Sequence, residues 1–386
     1  MSELRVGIVM PLAEARGGAE RMLMHLLRTH SPVRTGICYS LAFLERGPLC
    51  RETSELGYSV TLIPTGPLRH VGRGLAAVLR LARWARSRDM LLSWFPKAHL
   101  YAGAAAWLTR RHAVWWQHGM TEGGWMDRWA CRLPAARVLC CSEAVAEAQA
   151  GVPGSPPCRV VHPAYDVERF DPERLPEPAR CRELLGLPAS GLLYGTVARL
   201  QPGKGVDHFL QAAALVARRD PEAQFVIVGG PEPRQPGHAE QVWRLAGVEE
   251  LAGRVRFAGA QADPAPWVQA MDVLVLAAAQ PEGFGMALLE GLALGKPVVA
   301  ANAGGPARWL EDGEDSLLVA PGDAHSLAEA LLELRRPELR GRLGRAGRRT
   351  ARRYTPERLA GTLAEELRAA FLAAEWRRAV PRERTA

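Results

Sequence analysis

Lysine is almost missing from this chain. It occurs at Lys97, Lys204 and Lys296 alone among 49 basic residues, so arginine carries nearly all of the formal charge of +8. A GC-rich coding sequence is the simplest account of that bias. Net positive charge also suits nucleic acid, phosphorylated substrates or an anionic membrane face, and composition does not choose among them. Cysteine is sparse and unpatterned: seven residues, no Cys-x-x-Cys, and Cys140-Cys141 adjacent in an apolar run. That argues against a metal ligand set and a disulfide framework, and for reduced thiols in a cytosolic protein. No apolar run is long enough to cross a bilayer, because the window Met90–Trp116 is broken by Pro96, Lys97, His99 and Arg110-Arg111-His112. The opening "MSELRVGIVMP" reads as a short buried strand meeting a proline, not as a secretory signal. The dinucleotide fingerprint G-x-G-x-x-G is absent as well.

What is there is alternation. At 386 residues, with 48% apolar and 23% charged positions, the chain has the length of two domains and the composition of a soluble globular protein. "LRVGIVM" predicts a strand, then a glycine-bearing loop and the helix "AERMLMHLLRTH". "SVTLIP", "MLLSWF", "AVWWQHG" and "RVLCCS" predict further strands, each followed by a helix-compatible stretch. A Pro- and charge-rich segment, "VVHPAYDVERFDPERLPEPARC", reads as a linker. A second series then begins at "LLYGTVAR" and continues through "AQFVIVGG", "RVRFAGA", "DVLVLAAA", "KPVVAAN" and "SLLVA". The expected fold is α/β: two successive Rossmann-like halves, with ligands at the carboxyl ends of parallel strands. Only the last residues, "PRERTA", read as disordered.

The chemistry-bearing motifs fall at those strand ends. "RGGAE" (16–20) puts Gly17 and Gly18 before the first helix, where backbone amides can meet a phosphate or simply make a tight turn. In "VARLQPGKGVD", Arg199 and Lys204 bracket a Pro-Gly turn, and two cations on one loop suit a diphosphate. Lysine at 204 stands out in a chain that otherwise writes arginine. "PEGFGMALLEGLALGKPVVA" (281–300) sets Glu282 before a Phe-Gly turn, starts a helix near Met286 and places Glu290 about one turn inside. Amides at Gly285, Met286 and Ala287 would be free helix N-terminal donors for phosphate, and paired carboxylates can accept from vicinal hydroxyls. "WWQHGM" places His118 directly after a strand, where a structural role is the commoner one.

These segments together resemble a retaining GT-B glycosyltransferase of the family called glycosyl transferases group 1, or family 4. The resemblance covers nearly the whole chain and is carried by "GGAE", "QHG", "CSEAV", "YDVERFDP", "VARLQPGKGVDHFLQA", "FVIVGG", "VRFAGA" and "PEGFGMALLEGLALGKPVVAANAGG", the last holding the family's E-x7-E signature. It implies two Rossmann-like domains facing across a cleft. An acceptor domain would span 1–163 and a donor domain 164–367, with the last helix, 368–386, packing back on the first. It implies that Arg199 and Lys204 neutralise the donor diphosphate. Glu282 would contact the transferred sugar and Glu290 the ribose hydroxyls. The backbone of Gly283, Phe284, Gly285, Met286 and Ala287 would lie along sugar and phosphates. Gly17 and Gly18 would lie under the phosphate and His118 near the reacting carbon. The base would sit around Gly259, Ala260 and Gln261. Two departures stand out: Glu290 is followed by Gly291 where relatives have alanine, and His162-Pro163-Ala164 replaces the usual Asn-Gly of the linker.

The implied activity is transfer of a sugar, with retention, from a nucleotide-diphosphate sugar (UDP- or GDP-linked) to a hydroxyl of a small molecule, glycan or lipid-linked acceptor. No cofactor or metal is expected: there is no Asp-x-Asp where a metal-dependent transferase would need one, and two cations take its place. The competing readings are a sugar-nucleotide epimerase or hydrolase on the same fold, and a nucleic-acid-binding protein. The last is disfavoured because the chain lacks aromatics interleaved on a basic face. "VGRGLAAVLRLARWARSR" (71–88) reads as an arginine-lined outer helix on the sheet. With Trp84 it also offers a peripheral contact to the inner membrane face of an otherwise cytoplasmic protein.

Overall fold

The computed structural model describes residues 3–14, 17–66, 71–233 and 235–379; Arg16 of "RGGAE" and the tail "PRERTA" lie outside them. The chain forms two compact units. Unit 1 takes the chain up to Ala164 and again from Pro356, and unit 2 is Tyr165–Thr355.

Unit 1 runs β1 (Leu4–Met10), α1 (Gly18–Thr29), α2 (Pro32–Thr35), β2 (Ile37–Phe43), α3 (Pro48–Glu55), β3 (Ser59–Leu62), α4 (Val71–Ala85), β4 (Met90–Trp94), α5 (Phe95–Thr109), β5 (His112–Gln117), α6 (Trp125–Ala130), β6 (Val138–Cys140), α7 (Glu143–Ala150) and β7 (Cys158–Val160). Its described strands are all parallel, in the order β3-β2-β1-β4-β5-β6-β7. Every residue of β4 and β5 is buried, the pattern of a strand covered on both faces. One core layer joins the sheet to α1; the other joins it to α4 and α5 through Ala77, Leu81, Tyr101 and Ala102. Trp84 faces inward: a Cβ on Gly7 would lie 2.6 Å from its ring, so only glycine at position 7 admits it.

Unit 2 runs α8 (Pro178–Leu185), β8 (Leu193–Val197), α9 (Val206–Arg219), β9 (Gln224–Val228), α10 (Pro236–Ala246), β10 (Val255–Gly259), α11 (Ala265–Ala270), β11 (Val273–Leu276), α12 (Met286–Ala293), β12 (Val298–Ala301), α13 (Pro306–Trp309), β13 (Ser316–Val319), α14 (Ala324–Glu333) and α15 (Pro337–Ala351). Its sheet is also parallel, ordered β10-β9-β8-β11-β12-β13. Gly291, one of the two departures from the resembling family, packs against the sheet: a Cβ there would come 2.4 Å from Leu274 Cδ2. At the other departure, His162 Nε2 lies 3.4 Å from Glu143 Oε1.

The last helix, α16 (Pro356–Ala379), joins unit 1 from its first residue, so the return falls at 355/356 and not at 367/368. Leu363, Leu367 and Ala370 are fully buried in the layer that holds α1. Polar ties fix the helix along its length: Arg137 pairs with Glu366, Arg368 donates to the Thr35 carbonyl, and His112 Nε2 meets Glu375 Oε1 at 2.5 Å. Leu363→Ala or Leu367→Ala should each cost about 2–5 kcal/mol by removing fully buried methyl groups. Urea unfolding of the purified chain measures it, and an unchanged midpoint would mean the helix does not complete the core of unit 1.

Candidate functional site

In unit 2 the chain moves outward from β8 through β9 and β10, then returns to the other side of β8 as β11. The loops leaving β8 and β11 are neighbours that diverge, which opens a crevice at the carboxyl ends of the strands. The loop after β8 is fixed by two glycines in the left-handed region, Gly203 (φ 87°) and Gly205 (φ 72°). A Cβ on Gly205 would lie 1.6 Å from the Ala277 carbonyl oxygen. Gly203 O accepts from the amides of Ala279 (3.1 Å) and Gln280 (3.3 Å), which ties this loop to the one after β11.

That tie brings Lys204 and Glu282, 78 residues apart, into an ion pair through Nζ and Oε2. Glu282 is also held from behind. Its carbonyl accepts from Gly305 N at 2.7 Å, and Gly304 (φ 63°) approaches so closely that a Cβ would lie 2.3 Å from the same oxygen. Gly285 (φ 87°) then caps α12. Leu288 N is the first helix amide to return a bond, to Gly285 O at 2.9 Å, so the Met286 and Ala287 amides head the helix where an anion is favoured. The Phe284 side chain belongs to the core: it is buried, stacked on Trp309 at 4.9 Å with Tyr354 at its edge. Trp309 Nε1 donates to the Phe284 carbonyl at 2.9 Å. Glu290 lies one turn inside α12 and is 5% exposed.

Arg199 leaves the end of β8 and pairs with Glu232 at 2.5 Å. Glu232 follows β9 in the Pro-rich "GGPEPRQPG" and escaped the sequence reading; its position just past "FVIVGG" was the available signal. Gly259 (φ 69°) ends β10 and accepts from Gly229 N at 2.9 Å, while Gln261 Nε2 folds back onto the Ala258 carbonyl at 2.5 Å. Each cation of the crevice therefore rests against a carboxylate. An anion of higher charge can replace that partner with charge-assisted bonds of the same kind.

A second set of expected residues meets in unit 1. Gly17 caps α1 and Gly18 begins it. Trp94 Nε1 donates to Ala19 O at 3.2 Å, and the same indole lies 4.7 Å from the His118 ring. Trp116 and Phe95, each at 5.0 Å, complete an aromatic surround, and His118 Nε2 has no partner. Phe95 holds φ at 73°, a strained value for a bulky residue. Burial lowers the His118 imidazole to about 3, so the ring is neutral at physiological pH. Trp94 and Phe95 also escaped the sequence reading, although "MLLSWF" ends at the same sheet edge as "QHG". His99, stacked on Trp115 and bonded through Nδ1 to Ser93 Oγ (3.1 Å), is lowered by burial to about 4.

Comparison with known proteins agrees across both units. Residues 16–169 match the model for Glycosyltransferase Family 4, and residues 192–336 match that for Glycosyl transferases group 1. The chain is 38% identical over 198 residues to a D-inositol 3-phosphate glycosyltransferase of Frankia alni, covering 49% of this chain and 48% of that protein. It is 33% identical over 223 residues to the enzyme of the same name from Saccharomonospora viridis, covering 56% and 51%. The chain thus spans about half the length of the curated relatives it matches. Among solved structures, Anabaena Alr3699/HepE in complex with UDP and glucose superposes with a TM-score of 0.82 at 22% identity, over 95% of this chain and 100% of that one. Sucrose-phosphate synthase from Thermosynechococcus elongatus gives 0.76 at 20% identity, over 96% and 100%. These likenesses give the fold, which is GT-B.

Gly205→Ala should cost about 2 kcal/mol or more, since both the left-handed φ and the Ala277 carbonyl exclude a Cβ; a variant as stable as the parent would mean the loop rebuilds freely. Stability should also fall with acid. Unfolding frees His99 and His118 to take protons below their ordinary value of 6.5, whereas the folded chain resists them down to about 4 and about 3. The contribution is therefore full above 6.5 and is lost as pH falls through that window. Denaturation midpoints across the range should drop less steeply in His118→Asn; equal slopes in parent and variant would contradict the burial of this ring.

Proposed function

Because the chain belongs to the glycosyltransferases of group 1 and family 4, we propose that it moves a sugar from a nucleotide-diphosphate sugar to an acceptor hydroxyl, with retention and without a metal. The observation that carries the reading is the Lys204–Glu282 pair at the mouth of α12, set in the crevice between β8 and β11. A diphosphate entering there meets Lys204, Arg199 and the amides of Met286 and Ala287. These groups stabilise the charge that develops on the leaving phosphate as the bond to the anomeric carbon breaks. Once Lys204 turns to phosphate, Glu282 is released to accept hydrogen bonds from the sugar, while Glu290 takes the ribose hydroxyls and Gly259–Gln261 border the base. In unit 1 the family pattern assigns Gly17 and Gly18 to phosphate and His118, neutral and hence able to accept or donate, to the sugar.

Retention follows if the acceptor oxygen attacks the face the phosphate leaves. The departing phosphate oxygen then takes the acceptor proton, and no side chain need form a covalent intermediate. UDP-glucose is the first donor to try, since the Anabaena neighbour binds UDP and glucose, with GDP-linked sugars next. Inositol 3-phosphate is the first acceptor, by the names of the relatives.

Thermal shift with UDP, GDP and ADP identifies the base, and release of nucleotide only when acceptor is present separates transfer from hydrolysis or epimerisation. Lys204→Ala and Arg199→Ala should each lower kcat by about 10²–10³, as removal of one charge-stabilising donor does, with activity unchanged in excess chelator. Near-parental turnover in Lys204→Ala would remove the diphosphate assignment.

A further inference from the structure

Each cation of the unit 2 crevice has an acid beside it, and only one of those acids has a further use. In the proposed reaction Glu282 passes to the sugar when Lys204 turns away; Glu232, the partner of Arg199, is left without a ligand. Within the Arg199–Glu232 pair the acid is the fixed member. Its side chain is 16% exposed, against 48% for Arg199. Glu232 stands between Pro231 and Pro233, whose rings lock φ on either side. Its amide donates to the Leu200 carbonyl at 3.3 Å, and its own carbonyl accepts from Gln235 N at 2.9 Å. Leu200 N donates to Gly230 O at 2.9 Å, and Leu200 bridges Pro231, so the β8–β9 pairing runs on past both strands to the residue before Glu232. Gly229 (φ 154°) permits that approach, since a Cβ there would lie 1.9 Å from the Ala198 carbonyl oxygen.

Arg199 is held at one point only. Its Nη1 donates to Glu232 Oε2 at 2.5 Å, and the guanidinium has no other partner among the described residues. A guanidinium carries five N–H donors in a planar fork, so those left over can serve a second anion while the first bond stays. The ammonium of Lys204 is a compact point charge on a flexible stem, suited to changing partner. A chain that writes arginine almost everywhere thus keeps lysine where the acid has to be released, and arginine where it does not.

We propose that Glu232 is a positioning residue for donor binding. It stays on Arg199 when the nucleotide is bound, and holds the guanidinium at the end of β8 with its remaining N–H groups free for the diphosphate. A side chain ordered before the ligand arrives loses less freedom on binding than one that must be ordered then. The competing role is an acid that only neutralises Arg199 in the empty crevice and is expelled by the donor. The two roles differ in sign: removing a positioning acid weakens nucleotide binding, and removing an expelled competitor tightens it. The inference rests on the donor reading given above.

Isothermal titration of the full chain with UDP, GDP and ADP provides the test. For whichever of the three binds, Glu232→Ala should raise Kd about tenfold at an unchanged melting temperature. Glu232→Gln, which keeps a carbonyl oxygen for Arg199, should raise it only about threefold. In an Arg199→Ala background Glu232→Ala should add nothing, whereas in a Lys204→Ala background it should still weaken binding about tenfold. An acid with a merely structural role would weaken binding equally in both backgrounds. Equal or tighter binding by Glu232→Ala, or an undiminished loss in the Arg199→Ala background, overturns the inference and leaves the donor reading standing. A parent chain that binds none of the three nucleotides overturns both.

Discussion

The Gly203 carbonyl accepting two amides from the strand-β11 loop is the constraint on which the unit 2 site depends. Without it, Lys204 would be a solvated side chain on a Pro-Gly turn. With it, the loop after β8 is locked beneath Ala277, and a long flexible cation acquires a fixed address opposite Glu282. Gly304 and Gly305 complete the arrangement from the β12 side, so the carboxylate is held by backbone from both directions. Glycine is needed at these positions because backbone meets backbone there, which leaves Lys204 and Glu282 as the side chains that meet at the seam.

Unit 1 solves a comparable problem with aromatic rings. Trp94 bonds to Ala19 in the loop-to-helix turn and packs on His118, so the glycine turn and the histidine, a hundred residues apart, share one support. The cost is borne by Phe95, held at positive φ where β4 passes into α5. A neutral imidazole with an unoccupied Nε2 is what that scaffold presents.

Much of this was legible in the sequence. The strands of unit 2 are short apolar runs bounded by glycine, and the helix beginning at Met286 with Glu290 one turn inside lies where "GFGMALLE" predicts it. β2, "ICYSLAF", was not singled out, and α8 was absorbed into the linker because its proline-rich approach hides the helix that follows. The pairings were out of reach for a different reason. Nothing local in "PGKG" or "PEGF" encodes that they meet, since the contact is made by sheet order and left-handed glycines. Glu232 went unread because an acid among prolines looks like solvent-exposed loop until Arg199 is found beside it.

The returning helix α16 makes unit 2 an insertion within unit 1. Leu363 and Leu367 complete a core whose other walls, α1 and the strands from β1 onward, are made before residue 165. A ribosome therefore finishes the inserted unit while the first still has an uncovered apolar layer. Folding in the order of synthesis leaves the earlier half waiting for the last helix, and the later half is the first that can close.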